Sequence, residues 1–192
     1  MPCFKAIDRK IHPGDAGFSE VQIETVAPDH PEVLALVTAL DAYQAPMYPE
    51  ESNHLLPPTS ISHGITLLAQ DTNQPLNTGC VSAIPLWASV SENISKNTPK
   101  TAPHWELKRM YVSETARGSG MARQLLQHLL QVATQRGARR ILLETGIRQP
   151  AAIAFYRRQG FRQRDPFATY QPDSHSIFME YLMGRGTIYS SA

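Results

Sequence analysis

Cysteine is scarce in this chain of 192 residues: only Cys3 and Cys80 occur, too few for a disulfide framework and in no Cys-x-x-Cys or Cys/His metal pattern. Such usage fits a reducing compartment. An excess of charge is also missing. With 18 basic against 17 acidic residues the formal charge is +1, so no summed field recruits nucleic acid or an anionic lipid surface. Nowhere do about 18 consecutive apolar residues occur, so nothing reads as a membrane-spanning helix. The N-terminus places Lys5, Asp8, Arg9 and Lys10 where a secretion signal would carry its apolar stretch. The seven histidines are scattered without a short-spaced pair, and no metal is expected. Ser119 follows Arg117 and Gly118, which is not the Gly-x-Ser-x-Gly elbow of a serine hydrolase. These absences leave a cytoplasmic protein with no membrane or nucleic-acid partner as the expectation.

What is present is ordinary globular composition. Hydrophobic residues make up 42% of the chain, and its 11 Gly and 15 Pro are close to the usual share, neither collagen-like nor low-complexity. At roughly 100 to 200 residues per domain, one domain is expected. Residues 1–19, with Pro13, Gly14 and Gly17 and no periodicity, read as a loosely ordered lead-in; the domain is expected over 20–183 and a short tail over 184–192.

Periodicity supplies the order of elements. Val21 to Val26 alternates like a half-buried strand. Asp29 to Glu32 then offers a cap candidate, a Pro near the first helical position and an acid in the first turn, ahead of an apolar face running from Val33 to Leu40. The segment around Tyr48, Glu50, Glu51, Asn53 and His54 is rich in groups that contact ligands and reads as a binding loop. Ile65 to Ala69 and Thr78 to Ile84 form a hairpin around a turn at 71–75, and 89–101 is a polar surface loop. Glu106 to Val112 is strand-like. Gly118 to Arg136 has the i, i+3, i+4 pattern of a helix, with Met121, Leu125, Leu126, Leu129 and Ala133 on its inner face. Ile141 to Leu143 reads as a strand buried on both faces. A helix over Ala151 to Arg158 and a strand over Ser176 to Leu182 complete the chain. The class is α/β or α+β with a mixed sheet, and the strand, helix, strand unit from Glu106 to Leu143 makes its two strands parallel and right-handed.

Chemistry concentrates between those two strands. Arg117-Gly118-Ser119-Gly120-Met121-Ala122 is a glycine-rich turn opening into a helix N-terminus, where unpaired amides and the helix dipole attract an anion such as a pyrophosphate. Arg117 adds a permanent fork-shaped donor. No Lys-Ser/Thr follows as a P-loop requires. Arg123 stands where a dinucleotide fingerprint places its third glycine, although Glu144 resembles the ribose-binding acid of that fingerprint.

Arg117-x-x-Gly120-x-Ala122 matches the Gln/Arg-x-x-Gly-x-Gly/Ala signature of the GNAT family of N-acetyltransferases, and the chain resembles that family from about residue 20 to 182. Glu106 to Val112 is similar to the family's fourth strand, Ile141 to Thr145 to its fifth, and Ala154 to Phe161 to the helix whose Tyr precedes Gly-Phe. Uncharacterised bacterial members share the Glu-x-Lys-Arg-Met-Tyr-Val and Leu-Glu-Thr-Gly segments found at 106–112 and 143–146.

The resemblance implies a mostly antiparallel central sheet flanked by helices, with a splayed parallel strand pair forming the acetyl-CoA cleft. It implies transfer of an acetyl group from acetyl-CoA to a primary amine of a small molecule or peptide, and the homodimer usual in the family. Met110, Tyr111 and Val112 would meet the pantetheine arm, and Arg117, Gly118, Ser119, Gly120, Met121 and Ala122 the pyrophosphate, with Thr145 and Gln149 also on the cofactor side. Gln149 stands where many relatives carry an Asn. Tyr156 matches the tyrosine that protonates the leaving thiolate, and a phenol with a pKa of about 10 is suited to that task. Glu106 is the candidate base, His104 and Glu144 its alternatives. The loop from Tyr48 to His54 and the stretch from Phe167 to Ser176 are expected to meet the acceptor, with Tyr48, Asn53, His54 and Tyr170 as candidates, and Glu50, Glu51 and Asp173 suggest a cationic or zwitterionic amine. The alternative reading is a non-catalytic acetyl-CoA-binding sensor or subunit, which the glycine turn fits equally well.

Overall fold

The computed structural model describes residues 21–48, 64–86 and 104–184. The expected lead-in over 1–19, the tail past Gly184, the loop over 89–101, and Glu50, Glu51, Asn53 and His54 all lie outside the described residues.

Within them, one sheet is built from β1 (Val21–Thr25), β2 (Ile65–Asp71), β3 (Thr78–Pro85), β4 (His104–Val112), β5 (Arg140–Gly146), β6 (Arg162–Arg164) and β7 (Ser176–Leu182). Their order across the sheet is β1-β2-β3-β4-β5-β7-β6. Neighbours run antiparallel except β4 and β5, which are parallel as the helical crossover between them requires. The helices are α1 (Pro31–Gln44), α2 (Met121–Gln135) and α3 (Pro150–Arg158). This is the mixed, mostly antiparallel sheet expected.

Strand alternation gives the sheet two apolar faces. On one, Leu125, Leu126 and Leu129 of α2 are fully buried with Ile65, Leu67, Val81, Ile141 and Leu143, each such leucine contributing about 1.5 to 3 kcal/mol by leaving water. On the other, Val33, Leu36 and Val37 of α1 pack on Leu68 and Cys80. Leu142 also faces that way, beneath Phe167 and Phe178, so β5 is covered on both sides, as its continuous apolar run implies.

Two boundaries differ from the sequence reading. Helix α2 begins at Met121 rather than Gly118, because Gly118 and Gly120 hold φ of +83° and +91°, a left-handed conformation no right-handed helix contains. The strand β6 (Arg-Gln-Arg) carries no apolar alternation and exists through its pairing with β7, Arg162 opposite Glu180 and Arg164 opposite Phe178.

The feature that positions the site is a break in the sheet. β4 and β5 pair only at His104 with Arg140, Trp105 with Ile141 and Glu106 with Leu142. Beyond that point Leu107 to Val112 keeps only β3 as a neighbour and Leu143 to Gly146 keeps only β7, so the two strands part. In the parted stretch β4 also bulges. Cys80 and Ser82 of β3 stand opposite Tyr111 and Lys108, one residue too many on β4, and Arg109 takes φ of +51° to absorb it. The bulge resets the alternation: Lys108 and Tyr111, opposite Ser82 and Cys80, share the α1 face, while Met110 packs on the α2 side.

Leu129→Ala is expected to cost about 2 to 5 kcal/mol, read as a lower denaturant midpoint at unchanged slope. Gly120→Ala is expected to cost about 1 to 2 kcal/mol through its backbone conformation alone, since no atom lies within 4 Å of the position its Cβ would take; equal unfolding midpoints for variant and parent would contradict the left-handed turn.

Candidate active site

The parted strands enclose a cleft of about 150 Å³. From β4 it is lined by Lys108, Arg109 and Met110, and from β5 by Glu144, Thr145 and Gly146. Helix α3 adds Gln149 at its N-cap position, Ala152 and Tyr156, because three residues separate the end of β5 from Pro150, which starts the helix, and i, i+4 spacing turns Ala152 and Tyr156 towards the opening. Tyr48, just past α1, and His175 and Ser176, at the start of β7, close the remaining side.

Tyr156 lies at the α3 wall of this cleft with 7% of its surface exposed. Its O–H points to Met110 Sδ at 3.6 Å, and its ring packs at an edge against Phe155 and tilted against Phe161. Burial pushes its pKa well above that of a free phenol, so the group is held as a proton donor at neutral pH. The contact ties this donor to the bulged residue pair on β4.

Glu106 is buried, contrary to the exposed position that a strand start allows. Its Oε1 receives the Lys108 ammonium at 2.8 Å and the Tyr170 hydroxyl at 2.7 Å. Lys108 also donates to the Tyr170 oxygen and sits 5.1 Å from the ring centroid. Burial, then the neighbouring Glu106 carboxylate, raises the Tyr170 pKa and keeps that hydroxyl protonated. Lys108 thus stands between Glu106 and the cleft, and the carboxylate does not line it. Glu106, the expected base, is thus engaged by Lys108 and Tyr170. His104, its first alternative, does not line the cleft either. It sits where β4 and β5 are still paired, beside Arg140, and burial followed by the Arg140 and Arg164 charges lowers its pKa. Glu144 does line the cleft, half-buried, with Oε1 accepting from Ser176 Oγ at 2.7 Å.

Tyr48 closes down on the end of β5. Its oxygen accepts from the Arg148 N–H at 3.0 Å, while Arg148 Nη1 donates to the Met47 carbonyl at 2.9 Å. Gly146 makes this possible, because a Cβ there would stand 2.0 Å from the Tyr48 oxygen. Burial raises the Tyr48 pKa against the opposing effect of the Arg148 and Gln149 hydrogen bonds.

At the start of α2, the Met121 N–H donates to Ser119 Oγ at 3.3 Å, and the first-turn amides have no helical partner. Nothing occupies the space a Cβ would take at Gly118 or Gly120, so an anion has room against this turn. Arg117 packs between the Tyr43 and Tyr111 rings, at 5.4 and 5.7 Å, with Glu114 at 3.5 Å. Tyr111 joins the α1 cluster and Val112 packs beside the main core, neither side chain lining the cleft.

Lys108 and Arg109 were not anticipated from the sequence, whereas His175 and Ser176 belong to the stretch from Phe167 to Ser176 expected at the acceptor. A bulge has no sequence mark here, and His175 and Ser176 reach the cleft only because β7 pairs with β5, Ser176 opposite Gly146.

Comparison with known proteins agrees with this geometry. Residues 28–161 match the family described as Acetyltransferase (GNAT) family. The chain is 35% identical over 162 residues to an IAA acetyltransferase of Azospirillum brasilense, covering 83% of this chain and 96% of that protein. A crystal structure from Klebsiella pneumoniae subsp. pneumoniae, assigned as an acyl-CoA N-acyltransferase, superposes with a TM-score of 0.65 at 34% identity, covering 85% and 98% of the two chains. A GNAT acetyltransferase from Elizabethkingia anophelis with acetyl-CoA bound shares the fold at a TM-score of 0.57 and 17% identity, over 85% and 98%. With the turn at Arg117–Ala122, the parted β4 and β5 and a family match across most of its length, the chain belongs to the GNAT family of acetyltransferases.

Proposed function

We propose that this chain transfers an acetyl group from acetyl-CoA to a primary amine, by direct attack and without an acyl-enzyme. The observation that carries the reading is the parting of β4 from β5 beside the Tyr156 hydroxyl. It leaves one edge of β4 without a strand neighbour, and such an edge pairs with an extended amide-bearing chain as it would with another strand. The pantetheine arm of CoA is such a chain, and the open turn at Gly118 and Gly120 has the amides and the space its pyrophosphate requires.

Acetyl-CoA supplies the activated acetyl group. Met110 and Val112 hold the arm through their main chain, and the bulge at Arg109 turns a β4 N–H towards the carbonyl oxygen that gains charge on attack, an interaction worth roughly 3 to 4 kcal/mol in other acyl transfers. Thr145 and Gln149 border the arm from β5 and α3. Tyr156 gives its proton to the departing sulfur. Glu106 acts at one remove: it fixes Lys108 and Tyr170, and a proton reaches it only through one of them. Tyr48 borders the acceptor side, and Tyr170 supports it from behind Lys108. The protein is expected to work in the cytoplasm; no described helix is long and apolar enough to cross a membrane.

Acetyl-CoA or CoA at about a hundred times its dissociation constant should add about 2.7 kcal/mol of stability, a rise of roughly 5 to 10 °C in the unfolding midpoint, with no rise from NAD or ATP. No CoA-dependent rise would end the reading. Tyr156→Phe should lower kcat by about a hundredfold or more while keeping that thermal rise; an unchanged kcat would remove Tyr156 from the proton transfer. Tight CoA binding without acetylation of any amine in a broad panel would favour the sensor or subunit instead.

A further inference from the structure

The structure assigns the acceptor's ammonium group to Glu144, held by Ser176, and thereby makes the preferred acceptor a cationic amine; this rests on the acetyl-transfer reading above.

The inference follows from the charges around the cleft. Of the cations that line it, Lys108 is neutralised by Glu106 at 2.8 Å and Arg109 by Asp41 at 3.3 Å. Glu144 lines the same space, and among the described residues it has no ion pair. Its Oε1 is occupied by the Ser176 hydroxyl at 2.7 Å, and no described residue hydrogen-bonds to its Oε2. The same serine also reaches Asp173 Oδ2 at 3.4 Å, and Asp173 in turn contacts His175 Nδ1 at 3.2 Å, so Ser176 is fixed from both sides. A half-buried carboxylate held by a serine, with one oxygen unbonded and no ion pair among the described residues, is a ready partner for an arriving cation.

Position supports the same occupant. Glu144 lies two residues past the last β4–β5 pair, at Glu106 and Leu142, on the α1 face of β5 and opposite Phe178 of β7. The acidic charge is felt by Tyr48, which lines the cleft, and by Tyr170, which lies behind Lys108. Tyr156, by contrast, belongs to the α2-side core. Glu144 therefore faces one side of the cleft and the proton donor for sulfur the other, so the amine that adds to the thioester carbonyl and the thiolate that leaves it are served by different groups. A charge-assisted hydrogen bond from an ammonium to Oε2 completes the carboxylate's partners and anchors the nitrogen within the opening, and the ammonium passes a proton to water in the open cleft before its lone pair attacks the thioester.

The test compares wild type, Glu144→Gln and Ser176→Ala on alkylamines, diamines and amino-acid esters, which are cationic at neutral pH, and on aniline, which is neutral there. Glu144→Gln keeps an oxygen for Ser176, so its fold is expected to persist, and an unchanged acetyl-CoA thermal rise verifies that. The expected result is a KM for the cationic amines raised roughly 10- to 100-fold in Glu144→Gln, a smaller rise in Ser176→Ala, and no change in the KM for acetyl-CoA or for aniline. Equal KM values for the cationic amines in wild type and Glu144→Gln would overturn the assignment and leave acetyl transfer standing. Failure of wild type to acetylate any of these amines, with the acetyl-CoA thermal rise intact, would overturn both.

Discussion

Everything in the site depends on β4 and β5 ceasing to pair after Glu106 and Leu142. A sheet interior normally satisfies every backbone donor and acceptor, and an unpaired stretch there is unfavourable unless water or a ligand takes the place of the missing strand. Here the missing pairs leave a wedge whose walls are one edge of β4, one edge of β5 and the first turns of α3. The α2 face below it is packed without interruption from Ile65 to Met179. The opening is therefore a local departure in a rigid support, and a bound chain of amides would restore what the sheet lacks.

Two local devices keep the wedge open. The bulge at Arg109 adds a residue to β4, so the strand bends away from a straight course beside β5. On the other wall, Gly146 admits the Tyr48 oxygen where any side chain would exclude it, and Tyr48 and Arg148 link the end of α1 to the β5–α3 turn. The first device shapes the β4 wall and the second the β5 wall. They are independent in sequence and meet only in the fold.

Charge is distributed with similar economy. Glu106 and Asp41 neutralise the two cations on β4, which leaves Glu144 as the cleft's unmatched charge among the described residues. Glu106, an acid on the strand where a base was expected, is buried against Lys108 and Tyr170. The carboxylate that lines the opening is Glu144, on the neighbouring strand β5 two residues past the last pair.

Much of this was legible in the sequence. The apolar spacing of Met121 to Ala133 identified α2, the glycine turn marked its start, the strand, helix, strand unit required a parallel pair, and the Arg117 to Ala122 signature pointed to the family. These are local signals: each depends on neighbours a few residues apart, where periodicity and turn chemistry act directly. The strand β6, the bulge at Arg109, the shielding of Glu106 by Lys108 and Tyr170, and the approach of Tyr48 to Gly146 had no such signal. The sequence by itself determined the elements, their order and the residue types available to the site. Which carboxylate is shielded and which faces the opening was decided only by tertiary structure, because Tyr170 reaches Glu106 from 64 residues away and Ser176 reaches Glu144 from 32, contacts that exist only once the sheet has formed.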